Sequence, residues 1–193
     1  MTVVVITPPE PVVDIDTARA HLRITDSSED ALIEIMIAAA TANLDGPAGT
    51  LGRSIGAQEL ELRADQFTTP GCIASSPIDL PFGPVTEVVS VKYDDVDGVE
   101  QTLASDTYRL VGSDRLALAY GQAWPTPRQQ PEAVRIRYLA GYEVVPPALV
   151  AAILLMVGDL YENREAQVVS SAIQIVANPT IQALIAPYRA MRV

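Results

Sequence analysis

The sequence predicts an α+β protein whose elements run helices first, then strands, then helices again. Three observations carry this. Apolar residues recur at helical spacing between Asp14 and Gly46; from Ala57 their period changes to two; and Pro146-Pro147 open a run from Ala148 to Gly158 without a single charge. With 193 residues, 49% of them apolar, the chain suffices for one domain with a real core, or one domain plus an arm. Aromatic residues make up only 5%, so aliphatic packing has to hold it together.

Residues 3–6 (VVVI) read as a short strand or an extended arm, followed by the stiffening Pro8, Pro9 and Pro11. Asp14 suits the N-cap of a short helix running through Ala18, Leu22 and Arg23. Ser27 or Ser28 is placed to cap a second helix, with Glu29 and Asp30 near its positive end. Ala31, Leu32, Ile35, Met36 and Ala39 give that helix an apolar stripe, which Ile33 and Ile37 widen beyond what a solvated helix shows. Its small residues AAATA (38–42) permit close helix packing, and Gly46, Pro47 and Gly49 end it.

The β region begins with Leu60, Leu62 and Ala64 alternating with Glu59, Glu61 and Arg63. A short strand is expected at 78–80, broken by Pro81, Gly83 and Pro84. Val85, Val88 and Val91 lead to Tyr93, and Asp97-Gly98 is a strong hairpin turn before residues 99–103. Residues 108–111 and 116–120 are two more short strands, followed by a proline-rich loop with the single tryptophan, Trp124. Val134, Ile136 and Tyr138 then alternate with Arg135 and Arg137, the pattern of a half-buried strand, and Gly141 allows a sharp turn.

The helix that follows is the element the chain is organised around. Proline fits the first turn of a helix, where its missing N–H costs nothing. Leu149, Ile153, Met156 and Leu160 form one stripe, and Val150, Leu154, Val157 and Tyr161 the next. Together they exceed the apolar face of a surface helix, so this helix calls for burial on a core side and, because the remaining stretches look too small to cover it, on a neighbouring subunit. Its uncharged run is about half the ~20 residues a bilayer requires. A central core helix of a monomer is the plain alternative. The segment from Gln167 to Asn178 has neither acid nor base and no clean period, while Pro179 and Pro187 limit the last helix to about two turns. Residues 168–193 are therefore expected to be an extended arm that orders on docking; the alternative is that the last helix folds back on the subunit's own bundle.

Composition excludes several functions. A net charge of −11, from 24 acidic and 13 basic residues with no basic run, argues against a groove that grips phosphates. The lone Cys72 allows neither an intrachain disulfide nor a cysteine zinc cluster and reads as a small apolar residue. The start of the chain lacks the basic region of a signal peptide. The single histidine, His21, has no nucleophile motif near it and reads as a half-exposed helix residue. Asp94, Asp95 and Asp97 suggest calcium, but in an EF-hand register Tyr93 and Ala104 would fall on ligand positions, so an acidic hairpin tip is the better reading. Gly46, Gly49 and Gly52 follow a helix instead of joining a strand to one, and no Lys-Ser/Thr comes after, so they are no phosphate loop. Catalytic, cofactor and metal residues are all expected to be absent.

Several collinear segments carry a family likeness: DIDTARAHLRI with SSEDALIEIMIAAA, LPFGPVTEVVSVKYDDVDGVEQTL with DTYRL, AYGQAWPTPRQQPEAVRIRYLAGY, PPALVAAILLMVGDLYENRE, and ALIAPYR. They span most of residues 14–189, and together they resemble the head–tail connector, or adaptor, proteins of long-tailed bacteriophages and gene transfer agents. No piece is a chemical signature by itself; the first residues, 168–178 and the final tail match least.

The resemblance implies a mainly α connector domain over residues 1–167, a small helical bundle (14–46 and 147–163) with a β-hairpin or small antiparallel sheet inserted at 57–140, followed by the arm. It implies a structural protein and no enzyme: a ring of about twelve copies in the particle neck, assembled in the bacterial host cytoplasm. The portal would lie on one side and a stopper or tail-completion protein on the other. DNA would pass through the channel without specific binding, and neither cofactor nor membrane is involved. A ring is a closed set of heterologous contacts, and the candidates for that contact are Leu32, Ile35, Met36, Leu149, Ile153, Leu154, Val157 and Tyr161. Ile173, Ile175, Val176, Tyr188, Arg189 and Arg192 are candidates for docking on the portal. The alternatives are a stopper or tail-completion protein of the same neck, or a small binding or hydrolytic domain that forms no ring.

Overall fold

The computed structural model describes residues 1–68, 76–163 and 179–190. These divide into two compact units: residues 1–10 with 53–143, which are β, and 11–52 with 144–193, which are helical. Helix and strand have nearly equal shares, so the α+β class holds with more strand than the expected mainly α composition.

In the β unit, β1 (Thr2–Thr7), β2 (Gln58–Ala64), β8 (Val134–Ala140), β4 (Val85–Asp94) and β5 (Glu100–Thr102) form a five-stranded sheet in that spatial order, every neighbouring pair antiparallel. Residues 3–6 are thus a sheet strand and not an arm. A smaller sheet holds β3 (Ile78–Asp79), β7 (Arg115–Leu118) and β6 (Tyr108–Val111). The period-2 alternation is what separates the two faces of the larger sheet. Leu60, Leu62, Ile136 and Tyr138 are fully buried on one face and form a core with Leu80, Val91 and Leu116. Tyr138 donates its hydroxyl to the Pro81 carbonyl at 2.7 Å, and burial pushes this phenol well above its ordinary range. Trp124 stacks on Phe67, ring centroids 4.9 Å apart, and so pins the proline-rich loop to the core.

The opposite face carries the charges. Glu61, which is buried, receives hydrogen bonds from Arg137 at 2.6 Å and Arg63 at 2.8 Å. Arg135 reaches both Asp94 at 2.6 Å and Glu100 at 3.0 Å. The acidic hairpin is built from within: Asp95 Oδ1 accepts from the Asp97 and Val99 amides, and its Oδ2 from the Gln101 side chain, while Gly98 takes the positive φ of 83° that the turn requires. Two of the three aspartates that suggested calcium are therefore engaged as salt-bridge and turn-forming groups. Gly141 closes β8 with φ 131°; a Cβ there would lie 2.3 Å from the Gly56 carbonyl oxygen.

The helical unit contains α1 (Ile15–Leu22), α2 (Asp30–Leu44), α3 (Pro147–Glu162) and α4 (Pro179–Ile185), the last continued by a 3-10 turn at Ala186–Tyr188. Asp14 caps α1, accepting from the Thr17 amide at 2.7 Å and the Thr17 hydroxyl at 2.8 Å. The expected serine cap of α2 is not used. Asp26 takes the Ser28 amide and hydroxyl, and Glu29 occupies the N-cap position without a side-chain cap bond. Glu29 instead accepts from the Tyr161 hydroxyl, joining the start of α2 to the end of α3. Pro146 and Pro147 open α3 as expected. Leu149, Ala152, Ile153 and Val157 are fully buried, packed among α1, α2 and α4. None of the helices of the described residues is long and apolar enough to cross a membrane.

Candidate assembly surfaces

α2 is the element with two apolar faces. Ile33, Met36, Ile37, Ala40 and Leu44 point into the helical unit. On the other side Leu32 is 36% exposed and Ile35 66% exposed, continued by the exposed Ala38, Ala39 and Ala42. A large aliphatic residue left two-thirds in water costs hydrophobic free energy that a covering surface would recover, and contiguous apolar patches mark interaction sites.

A cleft of about 500 Å³ adjoins this stripe between α2, α3 and α4. Ala39, Asn43, Met156, Leu160, Ile181 and Arg189 line it. Leu160 is 41% exposed there. Asp159 and Arg189 bring one charge of each sign to its wall, and Arg189 donates to the Gln182 side chain at 2.7 Å. Stripe and cleft together form one apolar surface with few charges, in a chain of net charge −11. None of its polar groups is arranged as nucleophile and base. Among the described residues no cluster of three or more His, Cys, Asp or Glu could hold a metal ion, and His21 lies exposed on α1.

The residues expected at a subunit interface divide between interior and surface. Met36, Leu149, Ile153 and Val157 are buried in the core of their own unit. The α3 residues among them are covered by α1, α2 and α4 together, and α4 lies against α3 with Ile181 and Ile185 buried. That supplies cover which the sequence reading had assigned to a second subunit. Leu154 and Tyr161 are half-buried, and Leu32 and Ile35 are exposed. Of the portal-docking candidates, Tyr188 is half-buried and Arg189 exposed; Ile173, Ile175, Val176 and Arg192 lie outside the described residues, as does Cys72. The sequence reading missed Leu160 as a surface residue, having placed it in the stripe of Leu149 and Ile153. One turn beyond Met156, beside Asp159 and Glu162, the helix already leaves the core, and that nearby charge was the available signal.

The charged sheet face is a structural network with a pH signature. Burial raises the pKa of Glu61, but the hydrogen bonds from Arg137 and Arg63 outweigh it and hold the carboxyl below the usual glutamate range. A carboxylate whose folded pKa is depressed contributes stability above its unfolded pKa and loses it as pH falls through the folded value. The thermal midpoint of the wild type is therefore expected to drop as pH is lowered below about 4.5. Glu61→Gln should give a lower midpoint at pH 7 and a shallower fall in acid. The remaining slope belongs to the other carboxylates held below the usual range, among them Asp94 and Glu100 through hydrogen bonds from Arg135 and Lys92 respectively, and Asp14, Asp26 and Asp95 through bonds from Thr17, Ser28 and the Val99 amide. Identical pH profiles for the two proteins would remove Glu61 from the account.

Comparison with known proteins agrees with this picture. Residues 12–101, just under half the chain, match the family model described as phage gp6-like head-tail connector protein. Comparison with curated proteins gave no match. Among solved structures, a chain from the neck of an empty gene transfer agent particle, computed with C6 symmetry, has 23% identity and a TM-score of 0.77. One from the virion of a native gene transfer agent particle has 23% identity and a TM-score of 0.76. A third, from the neck of a native particle computed with C12 symmetry, has 22% identity and a TM-score of 0.69. Each alignment covers 100% of this chain and 97% of the other. With residues 12–101 matched and the fold shared over the whole length, the chain resembles the head–tail connector family, as its collinear segments indicate.

Proposed function

We propose that the chain is a structural subunit of a particle neck: an adaptor that forms a ring of twelve copies between the portal and a stopper or tail-completion protein, with DNA passing through the ring. The observation that carries this reading is the exposed aliphatic face of α2, centred on Ile35 and continuous with the α2–α3–α4 cleft. It is an unpaired apolar surface on a helical unit whose own core is already filled. The family match, the shared fold and the C12 symmetry applied to one neighbour support a ring as what covers it. A ring uses one face of a subunit against a different face of the next, and this surface supplies one of the two. In this reading Tyr188 and Arg189, at the end of the described chain, face the portal. The stopper alternative places the same surfaces one position further along the neck.

The acidic balance fits a channel through which DNA slides, because carboxylates facing phosphates repel them. The free chain is accordingly expected to show no shift of duplex DNA in a gel below micromolar concentration at about physiological salt, where phosphate contacts set affinity. Tight, salt-sensitive binding would overturn the channel reading. Native mass spectrometry at rising protein concentration tests the ring: a closed oligomer of about twelve copies is expected, and a chain that stays monomeric throughout would return the choice to a small binding domain.

A further inference from the structure

We propose that neighbouring copies in the ring also join through their β units, the outer edge of β1 in one copy pairing with the open half of β4 in the next. This rests on the ring reading above and adds a second contact to it.

Among the described residues the larger sheet has two stretches with no strand on one side. β1 pairs with β2 on one side, and no described strand pairs with its other side. Its sequence, TVVVIT, contains no charge and no proline, the devices that ordinarily guard an edge. β4 pairs with β8 along its length but with β5 only at Lys92–Asp94. The Val85 amide is bonded to Ser113, and the Val91 carbonyl to Leu103. Residues 86–90 thus form a second open stretch, almost as long as the six residues of β1. Val5 on β1 is 39% exposed, and Val89, bulged between Val88 and Ser90 on β4, is 48% exposed.

Strand direction makes the two edges a pair. From β1 through β2 and β8 to β4 there are four strands, each antiparallel to the last. Strands β1 and β4 therefore run in opposite senses. Placing the next copy's β1 beside β4, with no flip of the sheet, gives an antiparallel ladder, as rotation about a ring axis requires. Charge points to a second copy as the occupant. Copies of a chain with net charge −11 repel, and contact is cheapest where carboxylates are absent. The open stretch of β4 has one charge, Glu87, and β1 has none to oppose it. The β4–β8 register shifts at Val85/Glu87 and at Val88/Ser90. Such bulges bend and twist a strand, giving the curvature a closed array needs and limiting the edge to one partner instead of open-ended growth.

Disulfide trapping in rings of the full chain, with Cys72 replaced by serine, tests this. Val3→Cys, Val4→Cys and Val5→Cys are each mixed with Val89→Cys and oxidised. Residues directly opposite in an antiparallel pair have Cβ atoms about 5 Å apart. At least one mixture should give a cross-linked dimer reversed by dithiothreitol, while each variant alone should not. Cross-linking of a β1 variant to itself would show a two-fold β1–β1 pairing and overturn the proposal. So would rings that form normally and cross-link in no mixture. As a second measurement, Val5→Lys places a guarding charge on the edge. It should leave the far-ultraviolet spectrum of the monomer unchanged and raise the concentration needed for ring formation at least tenfold; an unchanged concentration counts against the edge. Were the unmodified chain to form no ring at any concentration, the ring reading itself would fail, and this contact with it.

Discussion

Replacing Ile153 with aspartate is expected to unfold the helical unit. Ile153 is fully buried on α3 beside Leu149, Ala152 and Val157, and no cationic side chain is among the buried described residues of that unit. The substitution removes a branched aliphatic side chain and leaves a carboxylate without a partner. Uncompensated charges in the interior cost several kcal/mol, about 3–5 where a buried pair is broken by losing one member. Total stability for a domain is only about 5–15 kcal/mol. Helical circular dichroism at 25 °C should fall well below that of the wild type, or the urea midpoint should collapse. Leu149→Ala, which leaves a cavity without a charge, is the milder companion and should cost about 2–5 kcal/mol with the fold retained. An Ile153→Asp protein with the wild-type urea midpoint would show that α3 is not the centre of its unit.

The sequence made the local devices legible and left the non-local ones open. Asp14, the Pro146-Pro147 start of α3 and the Asp97-Gly98 turn act within a few residues of themselves, and each appears where its chemistry places it. The cap of α2 shows how two local signals compete. Ser27 and Ser28 both suit a cap, but Asp26, two residues earlier, engages Ser28 in a turn of its own. The short strands at 78–80, 108–111 and 116–120 are legible as elements, and only their pairing is not. β3 has two residues and β7 four, and such short strands are defined by partners far along the chain, as Ile78 is by Leu116. The same holds for residues 3–6, whose choice between arm and strand is decided by pairing with residues 59–63.

Assembly residues were the hardest to read. A helix that is apolar nearly all round gives no sign of which stripe its own subunit covers. In α3 the answer depends on α4, seven residues between two prolines that look too weak to matter. Yet Ile181 and Ile185 are buried, and Leu149, Ile153 and Val157 are buried in the same unit. α2 was the more readable case. Its stripe exceeded one face in the sequence, and in the structure it has two: Ile33, Met36 and Ile37 inward, Leu32 and Ile35 outward.

That division sets up the sharpest contrast with Ile153. Ile35→Asp is expected to leave the subunit folded and to abolish the ring. At 66% exposure the side chain contributes little to its own unit, so the aspartate stays hydrated in the monomer. Surface changes of this kind ordinarily shift stability by less than about 0.5 kcal/mol, with a helix-propensity cost of similar size. In a ring the same position is repeated at every contact. Each interface would lose the burial of an aliphatic side chain, about 1.5–3 kcal/mol, and would also desolvate a carboxylate in a chain that already carries an excess of them. Because ring closure requires every contact at once, a penalty of a few kcal/mol per contact multiplies through the assembly. Native mass spectrometry should find monomer for Ile35→Asp at concentrations where the wild type is fully oligomeric, with matching circular dichroism spectra and urea midpoints. Ile35→Val, which keeps the surface apolar, should assemble. An Ile35→Asp chain that formed rings at wild-type concentration would remove the outer face of α2 from the contact, and Leu160 and the cleft would then have to hold neighbouring copies together without it.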